Sequence, residues 1–558
     1  MSERALLERF DLVAENPENI PLLRRYIVDL AVRGKLLEKT ALDISAAEIL
    51  KRIDGKADLL IKQGQLKKQK PLDPIDVEEI PAAYAAHCTF ERLGNVANLQ
   101  KGQTGIQSAI PGEFPLVVTA AARSTCDHYD FDGAAAIVPM VSSTGHGHAS
   151  LNRLHYQEGK FALGTILCAV FPIDEELITA RFLFEYLTAF KDELLVSKMN
   201  GTANVTLTVG RIAEVPVPII APAVQRRVDE LMALCDQLEA AKNEREARRD
   251  RLVAASLHSI GAASAVESDG HDGAQSATPL RDAARFHLDH LPRLTARPEH
   301  IEQLRQTILN LAVRGRLIPQ DPNDEPAAEL LKRIQAEKAR GKKLMQANPQ
   351  MEGIEQLADL PLHWTTAPLI ALGSWALGAG FPKNEQGLTE GPHFFLKVSD
   401  MNLPGNEKYV TVSNNCIDDA AAMRIRAKIH PPGTIIFPKI GGAIATNKRR
   451  ILTRGSAIDN NCLGIAFSKE IDIEWAYLLL TTLDFTQYQA GTAVPALQQG
   501  VLEVIPVGLP PLAEQHRIVT KVDELMALCD QLETQLTATQ TDSRRLLEAV
   551  LHEALAAA

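Results

Sequence analysis

A chain of 558 residues, 46% of them apolar, can bury three or four cores of the usual domain size of ~150 residues. No apolar run approaches the ~18 to 20 residues of a membrane-spanning helix, and the opening MSERALLERF mixes charge signs and lacks a secretory signal, so the expected location is the cytoplasm. The net charge of −11 disfavours polyanion binding by the molecule as a whole, but phosphate contacts depend on local clusters of Lys and Arg, so a DNA partner is not excluded.

In chain order, the first signal is LAVRGKL from Leu30, followed by AAEILKRI from Ala46. Both recur, as LAVRGRL from Leu311 and AAELLKRI from Ala327, at a constant offset of 281 residues. IPAAY from Ile80 is answered by LPLHW from Leu360, after which the two halves cease to align. In the first insert, AAIVPMV from Ala135 and FALGTILCAVF from Phe161 are β-branched or aromatic and punctuated by Gly and Pro, as strands are. QKGQTG from Gln100 and STGHGHASLNR from Ser143 are its polar stretches. Candidate DNA contacts are Gln103, Thr104, Arg123, Ser143, Thr144, His146, His148, Asn152 and Arg153, with Gln100 and Lys101 weaker. Ser, Thr, Asn and Arg donate or accept at base edges, and glycine lets backbone approach closely. The same loop also reads as a plain polar turn, or as a metal site through His146 and His148. Two imidazoles fall short of the three or four ligands of a zinc centre, and no motif links His128 or His155 to them, so no metal is predicted.

GTANVTLTVGRIAEVPV from Gly201 leads into VDELMALCDQLE from Val228, where Val228, Leu231, Cys235 and Leu238 have the spacing of a coiled-coil seam. GAASAVESDGHDGAQSATPL, residues 261–280, is small, polar and aperiodic, as linkers are. The second insert carries GTIIFPKI from Gly433 and CLGIAFS from Cys462 as strands, and eight basic residues with no acidic one between Arg424 and Arg454. Its candidate DNA contacts are Lys383, Lys397, Ser399 and Asn402, together with Lys439, Lys448, Arg449 and Arg450 of KIGGAIATNKRR as phosphate contacts.

GTAVPALQQGVLEVIPV from Gly491 matches the end of the first insert. PPLAEQHRIVTKVDEL from Pro510 then opens a second copy of VDELMALCDQLE at Val522, 294 residues after the first. Its seam runs through Ile518, Val522, Leu525, Cys529, Leu532 and Leu536. Between the shared Gln and the shared VDEL the first copy, QRRVDEL, is four residues shorter than the second, about one helical turn.

The expected class is α+β with an internal repeat. The segments are helical 1–80, an α/β domain 81–217, a long helix 218–260, a linker 261–298, helical 299–359, a second α/β domain 360–508 and a second long helix 509–558. Seven cysteines form no C-x-x-C pair and read as free thiols. Catalytic equipment is missing: there is no phosphate-cradling Walker loop, HPPG at His430 lacks the Asn or Asp and aromatic of an amino-methyltransferase loop, and ALGAGF from Ala376 lacks a cofactor loop's acidic partner.

The paired LAVRG and LKRI strings, the P-x-x-Y/W start and GTA end of each insert, and PPLAEQHRIVTKVDEL together resemble the specificity subunit of type I restriction–modification systems, over nearly the whole chain. The resemblance implies two target-recognition domains that each read half of a split asymmetric site in double-stranded DNA, joined by two long antiparallel conserved helices with a pseudo-twofold repeat. It implies a chain without catalysis of its own, inside a site-specific deoxyribonuclease and adenine methyltransferase complex that defends against phage. Two methyltransferase subunits and two restriction and translocation subunits are the implied partners, with S-adenosylmethionine, ATP and Mg²⁺ on those subunits. Docking is expected on the duplicated frame, at Leu30, Arg33, Leu311 and Arg314 and along both seams. The other reading is a coiled-coil scaffold that presents two α/β protein-interaction domains.

Overall fold

The computed structural model describes residues 19–37, 44–68, 70–80, 84, 87–144, 148–201, 205–266, 282, 285–287, 289–341, 360–491 and 494–557. They form two units, residues 1–246 with 539–558, and residues 247–538. The longer helices are α1 (Asn19–Val32), α2 (Ala46–Lys62), α3 (Ala180–Ala189), α4 (Pro222–Val266), α5 (Pro298–Val313), α6 (Ala327–Gly341), α7 (Ile473–Thr482) and α8 (Leu512–Ala557).

The repeated LAVRG string is the end of a helix. Gly34 and Gly315 take φ of 66° and 68°, which any side chain would resist, and the next N–H folds back onto Leu30 O and Leu311 O to satisfy carbonyls left open at the helix end. Ahead of that stop, α1 packs Ile27, Val28 and Ala31 into one core with Val228, Met232 and Cys235 of α4. In the second unit α5 packs Ile301, Ile308 and Ala312 with Ile518, Val522 and Cys529 of α8. Fully burying such a side chain contributes about 1.5–3 kcal/mol, so each seam is a main source of stability for its unit. The same arginine locks both pairs. Arg24 reaches Asp236 at 2.6 Å and Glu239 at 3.0 Å; Arg305 reaches Asp530 at 2.7 Å and Glu533 at 3.0 Å.

Both long helices outrun the unit in which they start. Val253, Leu257 and Ile260 of α4 form a cluster with Leu294, Leu304 and Leu311 in the second unit. Leu547 and Leu551 of α8 pack with Leu22 and Tyr26 in the first. The linker expected from residue 261 is correspondingly shorter: α4 runs to Val266 and a helical turn spans Leu291–Leu294, while residues 267–281 of that stretch lie outside the described residues.

The inserts, unalike in sequence, share the centre of their topology and differ at the sheet edges. In the first, β1 (Thr89–Arg92) pairs with β10 (Pro216–Ile219) at the base. Above it, β2 (Ala97–Lys101), β9 (Leu167–Pro172), β6 (Ala135–Pro139) and β7 (His155–Gln157) form one antiparallel sheet in that order. A second sheet has the order β4 (Ser124–Cys126), β3 (Phe114–Val117), β8 (Lys160–Leu163), β5 (Phe131–Asp132), with β3 and β8 parallel. In the second insert β11 (Thr365–Pro368) pairs with β22 (Pro506–Leu509). One sheet runs β12 (Gly373–Leu377), β19 (Cys462–Phe467), β16 (Ile435–Pro438), β17 (Arg450–Leu452), β14 (Tyr409–Val410), with β14 parallel to β17, and the other β15 (Cys416–Ile417), β13 (His393–Leu396), β18 (Ser456–Ile458), with β13 and β18 parallel. The short pair β20 (Gln489–Ala490) and β21 (Ala496–Leu497) closes the module.

Burial on both faces explains the unbroken apolar runs of the central strands. Ala135 and Ile137 of β6 face the other sheet, among Val117, Phe161 and Leu163, whereas Ala136 and Val138 face the core that includes Phe182 and Leu183 of α3. On β16, Ile436 faces the inter-sheet core and Ile435 and Phe437 the core that includes Trp475 of α7. FALGTILCAVF proves to be two strands, β8 and β9, divided at Gly164.

A glutamine joins each module to its long helix. The Gln225 side chain accepts the Thr179 N–H at 2.9 Å and donates to Leu177 O and Ile220 O at 2.8 and 3.0 Å; Gln515 accepts the Asp472 N–H at 2.9 Å and donates to Pro510 O at 3.0 Å. Thr179 and Asp472 cap α3 and α7, so the bond ties the module's own helix to the first turn of the frame helix. From this joint to the buried valine of the seam there are three residues in the first half, Gln225 to Val228, and seven in the second, Gln515 to Val522. The missing turn therefore lies between module and seam. Val224 packs against the first core, four residues before Val228, as Ile518 packs four before Val522, so the stripe keeps its register.

Candidate nucleic-acid interface

The two loops singled out in the sequence occupy one place in the shared part of the topology: each leaves β6 or β16 at a proline, Pro139 or Pro438, and returns as the antiparallel neighbour, β7 or β17. Both are anchored alike to the end of the module, by Leu207 N–H to Met140 O and Leu497 N–H to Lys439 O, each 2.9 Å. In the first loop the Ser142 hydroxyl donates to His148 O at 2.5 Å, and Ser143 Oγ accepts the Asn152 N–H at 2.9 Å. Ser143, Thr144, His148, Asn152 and Arg153 are exposed on the two described arms of this loop. His146 lies outside the described residues. His128 contacts Thr104, Cys126 and Asp127, and His155 contacts Arg123. His155 is buried on β7, where burial and then Arg123 and Arg153 hold its pKa down at about 4, so it is neutral.

Two expected contacts of the first module have other work. Thr104 is buried, its hydroxyl 2.9 Å from Asp130 and 3.1 Å from His128. Arg123 is committed to Gln157, His155 and the Tyr156 carbonyl at 3.1, 3.0 and 3.1 Å. Gln103 beside them is exposed.

The basic run of the second module is not one cationic patch. Arg449 is 2% exposed: its guanidinium sits 4.0 Å from the Phe485 ring centroid and donates to Leu480 O, Lys448 O and Leu483 O, each at 3.1 Å. Burial lowers its pKa, and its charge is compensated by carbonyls, not phosphate. Arg450 is half-buried and donates to Met401 O and Arg449 O. Arg424 is paired with Glu385, and Arg454 lies 3.5 Å over the Phe394 ring. The phosphate role expected of Arg449 is therefore withdrawn, and that of Arg450 loses its donors to the fold. Lys448 bonds the exposed Asn402, which brings the KIGGAIATNKRR and KVSDMN loops together. Lys383 and Ser399 are exposed, Lys439 is half-buried, and Lys397 is held by Gln386 at 2.7 Å over the Phe381 ring. Arg426 and Lys428, exposed within the basic run, were not singled out individually in the sequence; their only signal there was membership of that run.

The frame also needs a correction. Val228, Cys235, Val522 and Cys529 are buried in their own unit, and the half-buried Leu231, Leu238, Leu525 and Leu532 pack against the same cores, so the seams face their own unit's core. Leu30 and Leu311 are half-buried, Arg33 is paired with Asp29 at 2.8 Å, and Arg314 is exposed. What the frame exposes in duplicate is off the seam. Leu234 and Leu528 are 57% and 53% exposed, and Leu252 and Leu546 are exposed as well, each pair 294 residues apart. Identity between the copies at positions out of phase with the seam was the signal available for the first pair.

These placements separate two neighbouring cations by experiment. Arg449→Ala removes the donor to three backbone carbonyls and leaves a void beside the Phe437 and Phe485 rings, and is expected to cost about 3 kcal/mol in thermal unfolding. Lys448→Ala is expected to melt within about 0.5 kcal/mol of the parent while weakening binding to duplex DNA of any sequence and reducing the salt slope by about one.

Residues 391–539 match the family described as type I restriction modification DNA specificity domain. Over 571 aligned residues the chain is 27% identical to the type I restriction enzyme EcoAI specificity subunit of Escherichia coli, covering 96% of this chain and 94% of that one. It is 25% identical to the EcoEI specificity subunit of the same organism over 574 residues, with the same coverage. A chain from a solved type I R-M system structure aligns with 15% identity and a TM-score of 0.47 over 84% of this chain and 97% of its own. The chain therefore carries a match to the specificity domain in its second half and is similar from end to end to two type I specificity subunits.

Proposed function

We propose that each module reads one half of a bipartite asymmetric DNA site and that the duplicated frame docks two copies of an adenine methyltransferase subunit and sets the gap between the half-sites. The observation that carries this reading is that two frameworks alike at their centre present unlike loops at one place, one with Ser, Thr, His and Asn and one with Lys, Thr and Asn. A repeated scaffold with divergent loops suits the reading of two different sequences. Catalysis belongs to the partners. The methyltransferases carry S-adenosylmethionine, and two restriction and translocation subunits carry ATP and Mg²⁺.

Docking falls to the leucines that both long helices expose, because two identical partners need two equivalent patches. Leu234→Glu and Leu528→Glu are each expected to leave the melting profile unchanged and to release one methyltransferase copy; together they release both. Mass measurement of the assembled complex checks this, and full assembly by the double variant would remove the leucines from the interface.

Spacing is tested by the missing turn. Inserting Ile-Val-Thr-Lys after Arg227 adds about 6 Å and about 40° beyond a full turn between the Gln225 joint and the seam. Mapping of methylated sites, in complexes with the same partner, is expected to show the same half-sites with a gap longer by about one or two base pairs, at ~3.4 Å each. An unchanged gap would mean that the helix base does not set the spacing.

A further inference from the structure

Among the described residues, three consecutive side chains of the first module converge on one point: Cys126, at the end of β4, with Asp127 and His128. Cys126 Sγ lies 3.3 Å from His128 Nδ1 and 3.7 Å from Asp127 Oδ1, and those two atoms are 2.8 Å apart. A tetrahedral zinc ion with bonds of about 2.3 Å to sulfur and about 2.0–2.2 Å to nitrogen and oxygen makes ligand edges of roughly 3.3–3.6 Å. Two of the three edges already match, and the third opens by half an ångström.

The surroundings orient the imidazole as a ligand. With Nδ1 turned to the thiol and carboxylate, Nε2 is 3.1 Å from Thr104 Oγ1; the Thr104 hydroxyl donates to Asp130 Oδ2 at 2.9 Å, and the same oxygen accepts the Leu163 N–H at 2.8 Å. A ring whose far N–H is held by a hydroxyl and carboxylate is fixed in the tautomer that presents Nδ1 to a metal. The backbone is fixed too. Asp127 N–H donates to Ile110 O at 2.9 Å, and Gly112 packs so closely that a Cβ there would lie 2.4 Å from Asp127 Cα. Cys126 is buried while Asp127 and His128 are exposed, so the fourth position faces water.

We propose that Cys126, Asp127 and His128 bind one Zn²⁺ per chain, with Thr104 and Asp130 as positioning residues and water as fourth ligand. A thiolate beside an imidazole and a carboxylate in a tetrahedral arrangement selects zinc over magnesium or calcium. The thiol loses its proton to solvent on binding, and the ion fixes the 126–128 segment that His128 joins to the 102–105 loop through Thr104, beside Gln103. The partners of His128 are its two preceding neighbours and not a second histidine.

The test uses the full-length chain, stripped by chelator and titrated with Co²⁺. One equivalent is expected to produce a thiolate-to-cobalt charge-transfer band and visible bands of tetrahedral intensity, both displaced by Zn²⁺. Cys126→Ser is expected to abolish the thiolate band and His128→Gln to abolish tight binding, while Thr104→Val weakens the metal by about 10–100-fold and Cys88→Ser changes nothing. Should Cys126→Ser fail to fold, the exposed His128 carries the test, with the apo melting curve as control. A chain that gives no thiolate band, or a band that survives His128→Gln at full affinity, overturns the site.

Discussion

The architecture depends on the apolar stripe of each long helix, which is longer than one unit can cover. At ~1.5 Å per residue, the 45 residues of α4 and the 46 of α8 extend to nearly 70 Å, and a helix with a bare apolar stripe is not stable in water. The first part of each stripe is covered by the short helix of its own half, through the Arg24 and Arg305 clamps, and the last part by residues of the other unit. Each unit therefore contains pieces of both halves. The twelve-residue identity between Val228 and Val522 is intelligible on these terms: it contains the seam, the acidic residue that Arg24 or Arg305 meets first, and the exposed leucine.

A frame held this firmly frees the modules to differ. Their sheets share an antiparallel run of four strands and one parallel pair, and differ by strands at the edges, although almost nothing aligns, because buried strands require only apolar residues of suitable size on alternating faces. The loops between β6 and β7, and between β16 and β17, carry none of that burden. Where a loop residue was drawn into the interior, as Arg449 was, it became part of the scaffold.

The frame was legible in the sequence because repetition needs no structure to be seen, and the seam because spacings of three and four reveal a helix face. The glycine stop of LAVRG and the Gln joint were visible as letters but not as functions. The shared topology was not legible, since strand order arises from long-range pairing and β8 and β9 read as one apolar run. Arg449 and Lys448 are neighbours in a basic string, and only packing distinguishes a guanidinium between two phenylalanines from an ammonium at the surface. The zinc triad was missed for the opposite reason: its ligands are adjacent, so no spacing pattern announces them.

The central claim is that the two inserts are interchangeable readers on one frame. It is tested most directly by replacing the first module, residues 89–219 between β1 and β10, with the second, residues 365–509 between β11 and β22, and sequencing the sites methylated in the presence of the partner subunit. The account predicts a folded complex that modifies a site with the second half-sequence on both sides of the gap. Retention of the original first half-sequence by such a chain would contradict it, because specificity would then lie in the frame.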